Sequence, residues 1–364
     1  MTLSLYIARR FFWMVLRIFL VFFGLMLLID TIDQLRRFSD QEIGIAGAIH
    51  MAAMNVPSSL YRVLPLIMIL AAIGLFVGLA RSNELVVVRA AGRSGLRFLM
   101  APVLVATIMG AAFVAVFNPL VAATAKQYDE LWNGLSQASG STLSISDEGL
   151  WLRQGGPEGQ TVIHALRASQ DGTELFDVTF IGFDARGIPV SRIEAKEARL
   201  GDGAWALQAA KRWTLTADNP ELSAVSSGET ILRSNLTRDA IRDSFGTPEA
   251  IPIWQLPDYI AGLERAGFSA RAHRVWFQME LAQPLLMAAM VLLAAGFTMR
   301  HARFGNTGSF VLAALLAGFA VFFLRNFSQV LGNTGQIPVL MAAWTAPVAA
   351  TLAALGLLLH VEDG

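Results

Sequence analysis

The 364 residues are 54% apolar and only 15% charged, and 28 basic residues balance 28 acidic ones. A soluble domain of this size carries about a quarter charged residues, so the deficit favours a membrane protein. The zero net charge gives no field that would attract nucleic acid, and the lack of cysteine excludes disulfides, thiol nucleophiles and thiolate metal sites.

Six apolar stretches are long enough, or nearly so, to cross about 30 Å of hydrocarbon. They cover residues 11–29, 63–80, 98–117, 281–299, 307–324 and 337–359. A polar block, residues 125–270, separates the third stretch from the fourth. We therefore predict an α-helical membrane protein with six transmembrane helices, three within residues 1–124 and three within residues 271–364, and an inserted domain between them.

The placement of arginines predicts the orientation of these spans. Arginine clusters precede the first span and fill the loops between spans two and three and between spans four and five; they are Arg9–Arg10, Arg81–Arg97 and Arg300–Arg303. Six alternating spans put all three clusters on one side, which the positive-inside rule makes cytoplasmic. Both termini are then cytoplasmic, and the inserted domain is periplasmic.

The inserted domain has the pattern of a β structure. Short alternating runs such as residues 176–180, 188–193 and 212–216 are separated by turn residues. This spacing predicts an antiparallel sandwich, a jelly roll or a similar all-β fold. Residues 252–267 then form a short amphipathic pattern, which predicts a helix leading into the fourth span.

Motifs of catalysis are missing from the sequence. There is no glycine-rich loop ending in a lysine and Ser or Thr, so this chain does not bind ATP through a P-loop. The five histidines are dispersed and form no pair at metal-ligand spacing. We therefore predict a chain that is not an enzyme and that carries no cofactor or metal.

The loop between spans two and three predicts a short cytoplasmic helix, residues 82–93. Leu85 and Val88 lie at helical spacing, Glu84 and Arg89 supply charge, and Gly92 is placed to end the helix. One interpretation is a helix that lies flat on the membrane. The other is a coupling helix that docks into a separate ATPase and transmits its closure to the spans.

The residues of this loop resemble the LptF/LptG permease family of lipopolysaccharide exporters. Glu84-Leu85, three further residues, Arg89-Ala90-Ala91-Gly92 and then Ser94 match a family pattern that follows the second span. Further matches occur in the family's order along nearly the whole chain, and the first of them favours the LptG branch. They are Asp33–Arg37, Val56-Pro57, Leu64-Pro65, Gly149–Trp151, Ser234–Thr237 and Gln283–Leu285.

The resemblance implies an ABC transporter permease that extracts lipopolysaccharide from the inner membrane of a Gram-negative bacterium. It implies pairing with an LptF-like permease on an LptB-like ATPase dimer, and transfer of the lipid to LptC-like and LptA-like periplasmic jelly-roll proteins. Glu84, Leu85, Val88 and Arg89, with Gly92, would contact the ATPase. Spans one and five would line the lipid cavity.

A lipid of this kind needs cations for its phosphates and an apolar wall for its acyl chains. Several arginines lie near the outer ends of spans one, two and five, where they depart from the positive-inside pattern, and phenylalanines lie in spans one and five. The predicted contacts are Arg36, Arg37, Arg62, Arg325, Phe22, Phe23, Phe322 and Phe323. The alternative for each arginine is snorkelling to the interface or pairing with a nearby aspartate.

One position departs from the family pattern, because Asp30 stands where many relatives of the LptG branch carry a basic residue. Two other functions remain open at this stage. A permease could transmit ATPase motion to a periplasmic partner without moving lipid. Alternatively, the chain could be a membrane scaffold with a β interaction domain, which would not associate with an ATPase.

Overall fold

The computed structural model describes residues 2–38, 44–82, 84, 95–136, 143–146, 149–156, 159–169, 172–184, 186–201, 203–234, 236–237, 241, 247–299 and 307–363. The chain divides into two compact units. One, here the helical unit, comprises Met1–Tyr128, Pro252–Trp254 and Arg271–Gly364. The other, here the β unit, comprises Asp129–Ile251 and Gln255–Ala270.

Long helices account for most of the described chain. In order they are α1 (Thr2–Arg37), α2 (Ile45–Arg81), α3 (Gly95–Ala112), α4 (Asn118–Ser136), α5 (Leu256–Arg265), α6 (Arg271–Thr298), α7 (Thr307–Asn333) and α8 (Val339–Asp363). A π-helical turn, Phe113–Phe117, joins α3 to α4 in one continuous span. Among the described residues, six spans are long and apolar enough to cross a membrane, which confirms the predicted number.

The helices extend well beyond the predicted apolar stretches. The 36 residues of α1 measure about 54 Å at 1.5 Å per residue, whereas the hydrocarbon is about 30 Å thick. The hydropathy pattern marks the part inside the lipid, but the backbone hydrogen bonds of a helix continue into the polar flanks until a breaking residue or a turn intervenes.

Helix α6 forms the centre of the helical unit, because it packs against α2, α3, α7 and α8. Close approach depends on small residues, as is usual in membrane bundles. A Cβ atom on Gly110 of α3 would lie 2.7 Å from the Cα of Pro284. Arg271 at the start of α6 donates to the carbonyl oxygens of Gly332 and Ile337 (2.7 Å each), and so caps the end of α7.

The contact at Gly110 gives a stability prediction. Gly110→Val is expected to lower the thermal stability of the detergent-purified chain, because the added atoms meet backbone rather than a flexible side chain, and overpacking costs about 1–3 kcal/mol. Gly356→Val is the matched control, since a Cβ there has no atom within 4 Å. Equal melting temperatures for the two variants, measured by size-exclusion chromatography after heating, would contradict the prediction.

The described strands of the β unit form one antiparallel sheet in consecutive order. They are β1 (Leu143–Ser146), β2 (Gly149–Gly156), β3 (Gly159–Ala168), β4 (Glu174–Phe183), β5 (Pro189–Gly201), β6 (Ala204–Thr214) and β7 (Val225–Arg233). The first predicted strand segment lies within β4, the other two overlap β5 and the end of β6, and the predicted amphipathic helix contains α5. The prediction of six membrane helices with an inserted β domain is therefore confirmed.

The sheet bends sharply across its middle strands. Buried positions alternate along each of β3 to β6 but step once by three residues, for example from Ala195 to Ala198. At this step Asp177 (φ 51°) and Ala209 (φ 52°) adopt left-handed backbone conformations, which are uncommon for residues other than glycine. Strands that cross between two packed layers turn their corners at such irregularities.

The distance between two core aromatics shows how far the sheet folds over. Phe180 pairs with Ile193 of β5, whereas Trp205 pairs with Leu200 of the same strand. Those two β5 residues lie seven positions apart, or about 23 Å along an extended strand. The Phe180 and Trp205 rings nevertheless lie 6.1 Å apart. The bent sheet therefore encloses one core between its two halves, to which Leu263 of α5 also belongs.

Candidate functional site

The segment after α2 contains the predicted ATPase contact, of which Glu84 lies within the described residues and Leu85, Val88, Arg89 and Gly92 lie outside them. Arg10 of α1 donates to the Glu84 carboxylate (2.8 Å), and so does the Ser82 hydroxyl (2.7 Å). Arg10 also donates to the Tyr6 hydroxyl (2.9 Å). The first residue of the family motif is thus tied to the first span.

The pKa of Glu84 follows from these contacts. Partial burial by itself raises the pKa, but the hydrogen bonds from Ser82 and Arg10 outweigh that effect, and the pKa lies below its ordinary value. A carboxylate whose pKa falls on folding stabilises the folded state above the ordinary glutamate pKa and loses that contribution in acid. At neutral pH the Glu84 carboxylate therefore makes its full contribution to the link between α1 and this segment.

The four predicted phosphate contacts differ in accessibility. Arg36 and Arg37 are exposed at the end of α1, where Arg37 donates to Asp33 (2.7 Å), and Arg62 is exposed on α2. Arg325 on α7 is only 7% exposed. Three of the four side chains are thus exposed in this chain, whereas Arg325 is covered by it.

The predicted apolar wall lies on the two spans that this chain covers least. Only 6% of the apolar window of α1 and 17% of that of α7 are buried, against 61% for α2 and 72% for α6. On α7, Phe323 is 71% exposed and stacks on Phe327, whereas Phe322 is half-buried. On α1, Phe22 and Phe23 are half-buried beside the exposed Val21 and Leu25.

A cluster of buried polar side chains lies inside the helical unit, and the sequence analysis missed most of it. The Tyr61 hydroxyl of α2 donates to the carboxylate of Glu280, which is fully buried on α6. Asn118 hydrogen-bonds to the same hydroxyl, and Arg325 interacts with it electrostatically. Glu280 precedes the predicted fourth span by one residue, but α6 begins at Arg271, so Glu280 lies in its third turn.

The π-helical turn meets this cluster. Ala115 within the turn accepts a hydrogen bond from the indole of Trp254 (3.1 Å), and Asn118 directly after the turn accepts one from the amide of Ile253 (2.9 Å). A π-helical turn frees a backbone carbonyl for such an outside partner. The segment Pro252–Trp254 is therefore anchored on the third span, next to Tyr61.

The comparison with known proteins agrees with this architecture. The family model of the lipopolysaccharide export system permease LptF/LptG matches residues 5–360. The chain belongs to the LptF/LptG family. Relatives include the lipopolysaccharide export system permease protein LptG of Haemophilus influenzae, 22% identical over 92% of this chain and 91% of the relative. LptG of Escherichia coli K12 is 24% identical over 98% of both chains.

Family membership makes the chain an ABC transporter permease subunit of the inner membrane rather than an enzyme. Asp30, the position at which the sequence was expected to depart from the family pattern, has internal partners in this permease. Asn55 of α2 donates to it (2.9 Å), and Gln34 hydrogen-bonds to it one turn further along α1. Gln34 also donates to Tyr128 of α4 (2.9 Å). Asp30 thus joins three helices.

Proposed function

We propose that this permease extracts lipopolysaccharide from the inner membrane and passes it to a periplasmic bridge, driven by ATP hydrolysis on a separate subunit. The observation that carries the proposal is the uncovered apolar surface of α1 and α7. Faces that the chain itself leaves open need another apolar partner, either a paired permease or the acyl chains of a lipid. Phe22, Phe23, Phe322 and Phe323 would form the wall of this cavity.

The headgroup contacts would lie at the outer end of the same surface. Arg36, Arg37 and Arg62 are exposed cations, and guanidinium groups bind phosphate through paired, charge-assisted hydrogen bonds. The positive-inside pattern supports an orientation with both termini cytoplasmic, in which these residues would lie at the periplasmic boundary. Arg325 would join them after a movement of α7.

The partners follow from the same proposal. An LptB-like ATPase dimer would bind the segment from Glu84 to Gly92, with Leu85, Val88 and Arg89 in the contact. An LptF-like permease would complete the cavity, and LptC-like and LptA-like proteins would receive the lipid from it. The ion pair of Arg10 with Glu84 supports a mechanical role for this segment, because it links the segment to α1, one wall of the cavity.

The test is affinity purification of the tagged chain from its native membrane in mild detergent, with mass spectrometry of the proteins and lipids. We expect a soluble ATPase, a second six-span protein and lipopolysaccharide. An ATPase without lipopolysaccharide would favour a permease that only transmits motion. Absence of the ATPase would contradict the proposed coupling and favour a membrane scaffold.

A further inference from the structure

The buried cluster of Tyr61, Asn118, Glu280 and Arg325 places two opposite charges inside the spans. Tyr61 is 3% exposed, Asn118 1%, Glu280 0% and Arg325 7%. Each residue comes from a different helix: α2, α4, α6 and α7. Ionisable groups within membrane spans are costly and persist where they are paired and have a function.

The charges of Glu280 and Arg325 both act on the hydroxyl group of Tyr61. Tyr61 donates to Glu280 and receives the electrostatic effects of both Glu280 and Arg325. Asn118 supports the phenol from the third span and is itself held by the amide of Ile253. The phenol thus hydrogen-bonds to the acid on α6 and to Asn118 of the third span, and it lies within electrostatic range of the cation on α7.

The buried face of α7 has few large side chains, so the packing of this helix depends on Arg325. Its described buried residues are Ala314, Gly318, Arg325, Ser328 and Gly332, of which Arg325 alone has a long side chain. Small residues permit close packing between helices but contribute few contacts themselves. The position of α7 against α2 and α6 therefore depends strongly on the environment of Arg325.

We propose that Glu280 is a positioning residue that holds Arg325, and with it α7, against the rest of the helical unit. Loss of the Glu280 charge would remove an opposite charge from the surroundings of the buried Arg325, and α7 would move to bring the guanidinium closer to water. The role in transport rests on the proposed function, because α7 is then a wall of the lipid cavity. The positioning itself does not depend on the identity of the substrate.

Cysteine cross-linking between α2 and α7 tests this proposal in the full-length chain in membranes. A Cβ atom on Gly318 would lie 2.7 Å from Ile69 Cδ1, so Ile69→Cys with Gly318→Cys places two thiols close together. The chain contains no cysteine of its own. Thiol labelling with a maleimide polymer after mild oxidation therefore measures only the introduced pair.

In the chain with Ile69→Cys and Gly318→Cys, Glu280→Gln is expected to slow disulfide formation about tenfold or more, because breaking up a buried pair of opposite charges by removing one of them is strongly destabilising. Glu280→Gln with Arg325→Gln is expected to restore the parent rate, since neither charge remains. Ser328→Ala, one turn from Arg325 on the same buried face, is the matched control and should leave the rate unchanged.

Two results would overturn the proposal: an unchanged rate in Glu280→Gln, or a reduced rate that the second substitution does not restore. If Glu280→Gln fails to accumulate, the double variant decides by the same criterion of parent-like accumulation and cross-linking. Lipopolysaccharide recovery is measured separately on the wild-type chain. A wild-type chain that recovers no lipopolysaccharide would refute the proposed function and leave the cross-linking result standing.

Discussion

Replacing Arg36, Arg37 and Arg62 by glutamine is expected to abolish the recovery of lipopolysaccharide with the permease and to stop its export. A cation near an anionic headgroup surface contributes about 1 kcal/mol. Three of them together contribute about 3 kcal/mol, or a factor of about one hundred in affinity. Lipid mass spectrometry of the purified complex measures recovery. Export is measured in cells that carry the variant while the wild-type gene product is depleted.

The control carries the same loss of three positive charges on the β unit. Arg186, Arg199 and Arg233 are exposed there, and their replacement by glutamine should leave lipopolysaccharide recovery near the wild-type level. Recovery of the ATPase should be unchanged in both triple variants, which shows that the complex still assembles. Normal export in the Arg36, Arg37 and Arg62 variant would contradict the proposed headgroup contacts.

Charge reversal at Glu84 is expected to remove the ATPase from the complex, or to leave it bound without driving export. The arginine of Glu84→Arg would face Arg10, whose guanidinium lies 2.8 Å from the carboxylate in the wild-type chain. Like charges at that distance repel, so the segment loses its link to α1 as well as the carboxylate that the proposed function places against the ATPase. Co-purification of the ATPase and its turnover in the complex are the measurements.

A swapped pair, Arg10→Glu with Glu84→Arg, separates two roles of Glu84. The swap restores the ion pair with α1 but not a carboxylate that faces the ATPase. We expect no recovery of coupling, because the proposed function places Glu84 in the ATPase contact. Full recovery in the swapped pair would mean that Glu84 acts in coupling through its link with α1. Wild-type coupling in Glu84→Arg alone would show that neither the link with α1 nor an ATPase contact of Glu84 is needed.

The sequence alone gives candidate site residues but does not show which of them lie in the interior. Arg36, Arg37 and Arg62 were chosen because they break the positive-inside pattern; all three are exposed, and their contact with phosphate stays a prediction. Glu280 was missed because the predicted fourth span began one residue after it. The boundary of an apolar stretch marks where hydropathy changes, whereas the helix that positions the side chain begins at Arg271, nine residues before Glu280.

Arg325 shows the same limit from the other side. Its place near the outer end of the fifth span suggested contact with lipid phosphate, but it is buried beside Tyr61 in this chain. One-dimensional position gives the depth of a residue in the membrane and does not give the face of the helix on which it lies. The assignment as a phosphate contact stays a prediction that depends on movement of α7.

The sequence by itself determined the class of protein, the six spans, the inserted β domain and the family. These features depend on local hydropathy, on alternation and on motifs that neighbouring residues carry together. Tertiary structure alone decided that the sheet folds over its own core at Asp177 and Ala209, and that Tyr61, Asn118, Glu280 and Arg325 meet. Such contacts join residues up to 264 positions apart, and only the packing of whole helices and strands brings them within reach of one another.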